Sequence, residues 1–161
     1  MSEAESGGMG SGGTRMSGVQ GMQIACPEGW LDRSMLVLTA AQPGPSGIAA
    51  NLVVTRELLD GTAHDPVGVA RRLEAHVAAE IARWQGRPGY EEIMRRHATP
   101  DLPTAELRLV WTDEAVALAQ WLTFTAVDAT TIVVAAATAP RGDMAVLEPQ
   151  FRAMLETLRL T

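Results

Sequence analysis

Three histidines, a lone cysteine and two adjacent glutamates are the groups in this chain best suited to chemistry. His64 stands beside Asp65 ahead of a proline, His76 falls inside an apolar-periodic stretch, and His97 closes a polar one. Metal binding or acid–base work needs such groups convergent, at ligand-like spacings. Here they are scattered one to an element, which predicts solvated or packed side chains. Glu91 and Glu92 are neighbours, hence on opposite faces of a strand, an arrangement that suits no paired-carboxylate mechanism. Cys26 lies between Ala25 and Pro27 with no cation beside it, so nothing there favours a reactive thiolate. Asp32 and Arg33 read as an ion pair fixing a loop, with part of a site as the alternative. The glycines of GGMGSGG have no strand ahead of them, and no nucleophile elbow is present. The expectation is a protein without catalytic activity, metal or cofactor.

Noncovalent chemistry remains. Asn51, Thr55, Gln120 and Thr123 set amides and hydroxyls among the apolar side chains of Met35, Val37, Val53 and Trp121. A surface of that kind offers hydrogen bonds to a foreign backbone, while its small side chains allow close approach. These eight are the candidate binding residues, and they act together only if the strands that carry them share a face.

The elements that must position them read as strands punctuated by turns. Met1–Gly21 is rich in Gly and Ser and predicts a flexible tail, followed by one folded domain over residues 22–161. Strands are expected at MQIAC (22–26), 35–40, 48–57, 90–98, 104–113, 116–127 and 130–140, with QPGPSG forcing a loop after the second. Asp65 and Pro66 start a helix whose stripe is Val69, Leu73, Val77, Ile81 and Trp84. A last helix spans about Asp143 to Leu158, with Pro149 expected to kink or divide it. Several strands, notably GWLDRSMLVLT and IAANLVVTRE, are apolar or small on both faces. Two helices can roof one face, so the fold class is α+β with an antiparallel sheet of about six strands, its helices on one side and the other side open. Leu36, Leu38, Leu52 and Val54 are assigned to the roofed face with Leu107, Leu109 and Phe124. A large open apolar face is a recognition site or is buried in a homodimer.

Bulk properties narrow the partners. Of 161 residues, 47% are hydrophobic and 20% charged, which excludes a disordered chain. A net charge of −6, with every basic residue an Arg, disfavours nucleic acid. One cysteine permits no intrachain disulfide and suits a reducing compartment. No signal peptide is visible, and the longest apolar run, Thr131–Pro140, is half of the ~20 residues a spanning helix needs. No stable membrane insertion is expected, and the location is expected to be cytoplasmic.

The segments PEGWLDRSMLVL, NLVVTRE, LEAHVAAEI, VWTD, AQWLTF and ATAPRGDMAVLEPQFRAML occur in an order that resembles the DcrB-like family, over about residues 22–160. That family includes the effector-associated (Eag) chaperones of type VI secretion. The resemblance implies a PsbP-like fold with a concave open sheet face, often as a homodimer. It also implies a cytoplasmic chaperone that holds the apolar, transmembrane-destined N-terminal helices of a secreted effector until loading. A homodimeric binder of a small apolar ligand is the alternative reading of the same open face.

Overall fold

The computed structural model describes residues 15–19, 22–29 and 33–159. It divides into two compact units, Met1–Ser34 and Met35–Thr161. In the first, β1 (Arg15–Val19) and β2 (Met22–Cys26) form an antiparallel hairpin with Arg15 opposite Cys26 and Val19 opposite Met22. β1 lies inside the stretch expected to be a tail. A pair of strands needs only five residues on each side, and the Gly/Ser average over Met1–Gly21 conceals so short a segment.

The second unit runs β3 (Met35–Thr39), β4 (Asn51–Leu58), α1 (Pro66–Trp84), β5 (Glu91–Arg96), β6 (Thr104–Asp113), β7 (Val116–Ala126), β8 (Thr131–Pro140) and α2 (Met144–Glu156). Six strands make one antiparallel sheet in the order β3-β4-β8-β7-β6-β5. The α+β architecture with a six-stranded antiparallel sheet and two helices is therefore present. The MQIAC strand is not part of this sheet.

α1 begins where its sequence dictates. Asp65 stands outside the helix and accepts from Gly68 N at 2.9 Å, with Pro66 in the first turn. Val69, Leu73, Val77 and Ile81 are all buried and meet Leu107, Leu109, Leu122, Phe124, Ile132 and Val134. Arg72, on the same helix, donates to the carbonyls of Leu59, Asp60, Ala63 and Ala129, tying two loops to it.

α2 departs from expectation twice. It is one helix through Pro149; the proline is exposed, so its ring is accommodated on the solvent side and only one ladder bond is lost. More consequentially, α2 roofs the other face. Phe151, Met144, Leu147, Met154 and Leu155 pack on Leu36, Leu52, Val54, Val133, Ala135 and Ala137. Val134 meets α1 while Val133 and Ala135 meet α2, so the helices lie on opposite sides of β8. A buried carboxylate sets this placement: Asp143, 1% exposed, accepts from Ser46 Oγ at 2.7 Å and Ser46 N at 3.2 Å. Gly44 makes room for it, since a Cβ there would come within 2.5 Å of Asp143 Oδ2. The loop after β3 is thereby anchored to the start of α2.

The picture of two helices on one side is thus corrected. Each face is roofed by one helix over about half its width. Leu36, Leu38, Leu52 and Val54 belong to the α2 side, not with Leu107 and Phe124. Alternation fixes which residues within a strand share a face, but not which face of the next strand they match; that parity comes from register.

Candidate functional site

The uncovered half of the α1 side lies at the β3 end of the sheet. Register lines up three rows across it. Met35 is opposite Thr55, which is opposite Val134; Val37 is opposite Val53, then Ala136; Thr39 is opposite Asn51, then Thr138, then Gln120. Six of the eight expected residues, Met35, Val37, Asn51, Val53, Thr55 and Gln120, therefore share one face. Met35 is 52% and Val37 49% exposed, while Asn51, Val53, Thr55, Ala136, Thr138 and Gln120 are half-buried. None of these side chains titrates in the physiological range, so the surface is apolar with neutral hydrogen-bonding groups.

Its polar row has one end unsatisfied. Gln120 Nε2 donates to Thr138 Oγ1 at 3.1 Å, whereas Gln120 Oε1 is buried with no partner among the described residues. Turning the amide over exchanges the two atoms and leaves the other end unpaired. At the opposite margin, Thr55 Oγ1 donates to Glu57 Oε1 at 3.1 Å, and His76 of α1 pairs with Glu57 Oε2 at 3.4 Å. The His76 imidazole beside it holds the Glu57 carboxyl below its ordinary range, against the opposing effect of burial. This pair marks where the α1 roof ends and the open corner begins.

Trp121 and Thr123 do not belong to the corner. Trp121 sits opposite Ala137 and Arg108, and Thr123 opposite Ala135 and Glu106, all on the α2 side. Trp121 is 5% exposed. The guanidiniums of Arg108 and Arg152 lie 4.9 and 5.0 Å from its ring. Arg108 grips both oxygens of Glu148 at 2.8 Å, and Arg152 adds a third bond at 3.0 Å. Arg108 first, then Arg152, holds the Glu148 carboxyl down at about 2. Trp121 is thus sealed within the chain by a charged clamp, which no spacing in β7 announces; only the Glu148/Arg152 spacing on α2 hints at it.

His97 and His76 make structural contacts. His97 Nδ1 lies 2.6 Å from Glu74 Oε2, and the same carboxylate accepts from Arg95 and from Ala98 N, clamping α1 to the end of β5. His76 packs edge-on to Phe124 at 6.0 Å. Glu91 and Glu92 pair with successive residues of β6, Val110 and Leu109, and so face opposite ways. Asp32 lies outside the described residues. Among the described residues no group of three His, Cys, Asp or Glu side chains could hold a metal. No helix among them is long and apolar enough to cross a membrane.

Sequence reasoning passed over a feature on the α2 side of β3. A cleft of about 90 Å³ lies between α2 and the β3–β4 edge, lined by Leu38, Leu52, Leu147, Phe151 and Met154 among others. Alternation in β3 puts Leu38 opposite in sense to Val37, but only the position of α2 turns that into a cleft.

Comparison with known proteins gives the fold alone. No protein-family model matches the chain, and no curated protein does. Among solved structures it is similar to PA94 of Pseudomonas aeruginosa, a protein of unknown function, with a TM-score of 0.72 and 18% identity over 92% of this chain and 97% of that one. Weaker likenesses are to LpqN of Mycobacterium tuberculosis, involved in cell envelope biogenesis (TM-score 0.44, 13% identity, 69% of this chain and 62% of that one). The Ran-binding protein Mog1p of Saccharomyces cerevisiae gives 0.42 and 13% over 87% and 84%.

Proposed function

We propose that this chain is a cytoplasmic, non-catalytic chaperone or adaptor. Its client is one or two apolar, transmembrane-destined helices from the N-terminus of a type VI secretion effector, kept soluble until loading. The observation that carries the reading is the open corner of Met35, Val37, Asn51, Val53 and Thr55, continued by Ala136, Thr138 and Gln120. Three adjacent strands present about 14 Å of surface, enough for one helix of about 10 Å. Each 100 Å² of apolar area withdrawn from water contributes about 2.5 kcal/mol, against the cost of association. The half-buried Asn51 and Thr55 supply hydrogen-bonding groups for the client where small residues bring its backbone close. The motif order, which resembles that of DcrB-like and Eag proteins, points the same way.

A homodimeric binder of a small apolar ligand, the same open face closing over the molecule, is the alternative; a small bound mass in native mass spectrometry of freshly purified protein is its signature. The test is co-expression with the N-terminal segment of an effector encoded beside this chain. Soluble co-purification, lost when Val53 is changed to Asp, is the expected result. An effector segment equally soluble without this protein refutes the reading.

A further inference from the structure

We infer that the end of the sheet carrying the β4–α1, β5–β6 and β7–β8 loops docks a basic amphipathic helix of a partner protein. Three apolar side chains take the apolar stripe of that helix, and three aspartates take the cations flanking it. The inference does not rest on the chaperone reading, because the surface is built on the other face of β4 from the open corner.

Strand register builds the apolar row. Leu58 is opposite Thr131, and Val127 N donates to Thr131 O at 3.0 Å. Ala126 N donates to Pro103 O at 2.9 Å. That bond carries the Thr104–Thr125 pairing one step further and sets Leu102 level with Val127. Leu58, Val127 and Leu102 thus follow one another across β4, β8, β7 and β6, about 14 Å from first to last. They are 72%, 37% and 50% exposed. Alternation puts Leu58 in the same sense as Leu52 and Val54, on the α2 side. Those two are 3% and 9% exposed, so the α2 roof stops short of the row.

Each apolar residue brings a carboxylate with it. Asp60 lies just beyond Leu58, Asp128 follows Val127, and Asp101 precedes Leu102; all three are exposed. Among the described residues none of the three enters an ion pair. The Thr130 amide, at 2.7 Å, and then its hydroxyl, at 2.9 Å, donate to Asp128 Oδ1 and hold that carboxyl below its ordinary range. The three loops contain no Arg or Lys. Arg72 reaches them from α1 with its donors spent on the carbonyls of Leu59, Asp60, Ala63 and Ala129. Arg56, opposite Val133, stands one row inward. The other end of the sheet mixes its signs, Arg87 and Arg141 with Asp113 and Glu114.

The loops are fixed before a partner arrives. Leu59 N donates to Thr130 O at 2.8 Å, and Thr99 and Leu102 exchange backbone bonds at 3.0 and 3.2 Å. A preset surface loses little conformational freedom on binding. Its chemistry selects the occupant. A row of about 14 Å matches about nine residues of helix, and apolar side chains at i, i+4 and i+7 form one stripe along it. Lys or Arg beside that stripe meets the aspartates. An anionic segment or a phosphate backbone is repelled by the same groups, and a wholly apolar helix would desolvate carboxylates without compensation.

The test uses the full chain and a fluorescein-labelled peptide of leucine and lysine, about 14 residues long, with its leucines on one helical stripe. One control scrambles the same composition so that no stripe forms; the other replaces every lysine by glutamate. Fluorescence anisotropy should give the striped basic peptide a Kd at least about tenfold below that of either control. Raising salt from about 0.05 to about 0.5 M should weaken it. Leu58→Ser, Leu102→Ser and the pair Asp60→Asn with Asp101→Asn should each raise the Kd at least about fivefold at an unchanged circular dichroism spectrum. Met35→Ser, in the open corner, should leave it unchanged. Equal binding of the scrambled peptide would reduce the surface to diffuse charge, and equal binding of the glutamate peptide would reduce it to apolar contact. Loss of binding in Met35→Ser would move the peptide to the open corner. Each of these results overturns the inference, as does a failure of all three peptides to bind.

Discussion

Glu148→Gln should loosen the α2 roof by an amount that disappears in acid. Arg108 and Arg152 hold the Glu148 carboxyl at about 2, against 4.5 for an ordinary glutamate. Fully expressed, that gap is worth about 3.4 kcal/mol. Water reaches the clamp, however: Glu148 is 28% and Arg152 53% exposed, so screening reduces the expected effect to about 1–2 kcal/mol. The folded-state value lies below the unfolded one. The contribution is therefore complete above about pH 5.5 and is lost as pH falls through 4.5 toward 2. Urea unfolding of both proteins from pH 7 to pH 2.5 measures it: the curves should differ by about 1–2 kcal/mol at neutrality and converge in acid. Hydrogen exchange should place the loss in α2, which Phe151 alone anchors as a fully buried residue. A difference that stays constant with pH would mean that shape, not charge, holds the helix. A difference below about 0.3 kcal/mol would mean that the stacked Arg–Trp121 contact suffices without the carboxylate.

Met35→Asp should cost less than about 1 kcal/mol in thermal unfolding yet abolish capture of an apolar helix, because the side chain is 52% exposed. Leu107→Asp, at 0% exposure, should prevent folding. Arg72→Ala should destabilise by about 2–3 kcal/mol, since it orphans the carbonyls of Leu59, Asp60, Ala63 and Ala129; an unchanged melting temperature would contradict that. Ala115→Gly should stabilise by about 1 kcal/mol in denaturant titration, because Glu114 and Ala115 hold the β6–β7 turn at φ 43° and 73°.

The elements were legible from short-range signals. Asp65-Pro66 and the four-residue spacing from Val69 to Ile81 define α1, and alternation within TAELRLVWTD defines β6. What was not legible was parity between strands. Leu36 and Leu107 are equally bulky, yet they face opposite sides because β3, β4, β8, β7 and β6 pair in registers that no single strand encodes. The same step separated Gln120 from Trp121 and Thr123, leaving six of eight candidates together. α2 was misplaced for a related reason: its side of the sheet depends on the Asp143–Ser46 contact, between groups 97 residues apart.

The opposed helices sharpen the case for a binding surface. Two helices on one face would leave a broad open sheet on the other, and burial against almost anything would account for it. One helix on each face leaves a smaller gap, and the α2 side of that gap is filled from within by Arg108, Trp121 and Glu148. On the α1 side no charged clamp among the described residues closes the corner; the Glu57–His76 pair stands at its margin. Met35 and Val37 of β3, the last strand of the described sheet at this end, carry their exposed side chains in the same corner. Guarding β5 with four charges while leaving β3 with none places the two features that would otherwise promote aggregation at one end of one sheet. Such a concentration has a physical advantage only if a partner covers it, as an apolar helix laid across the open corner would.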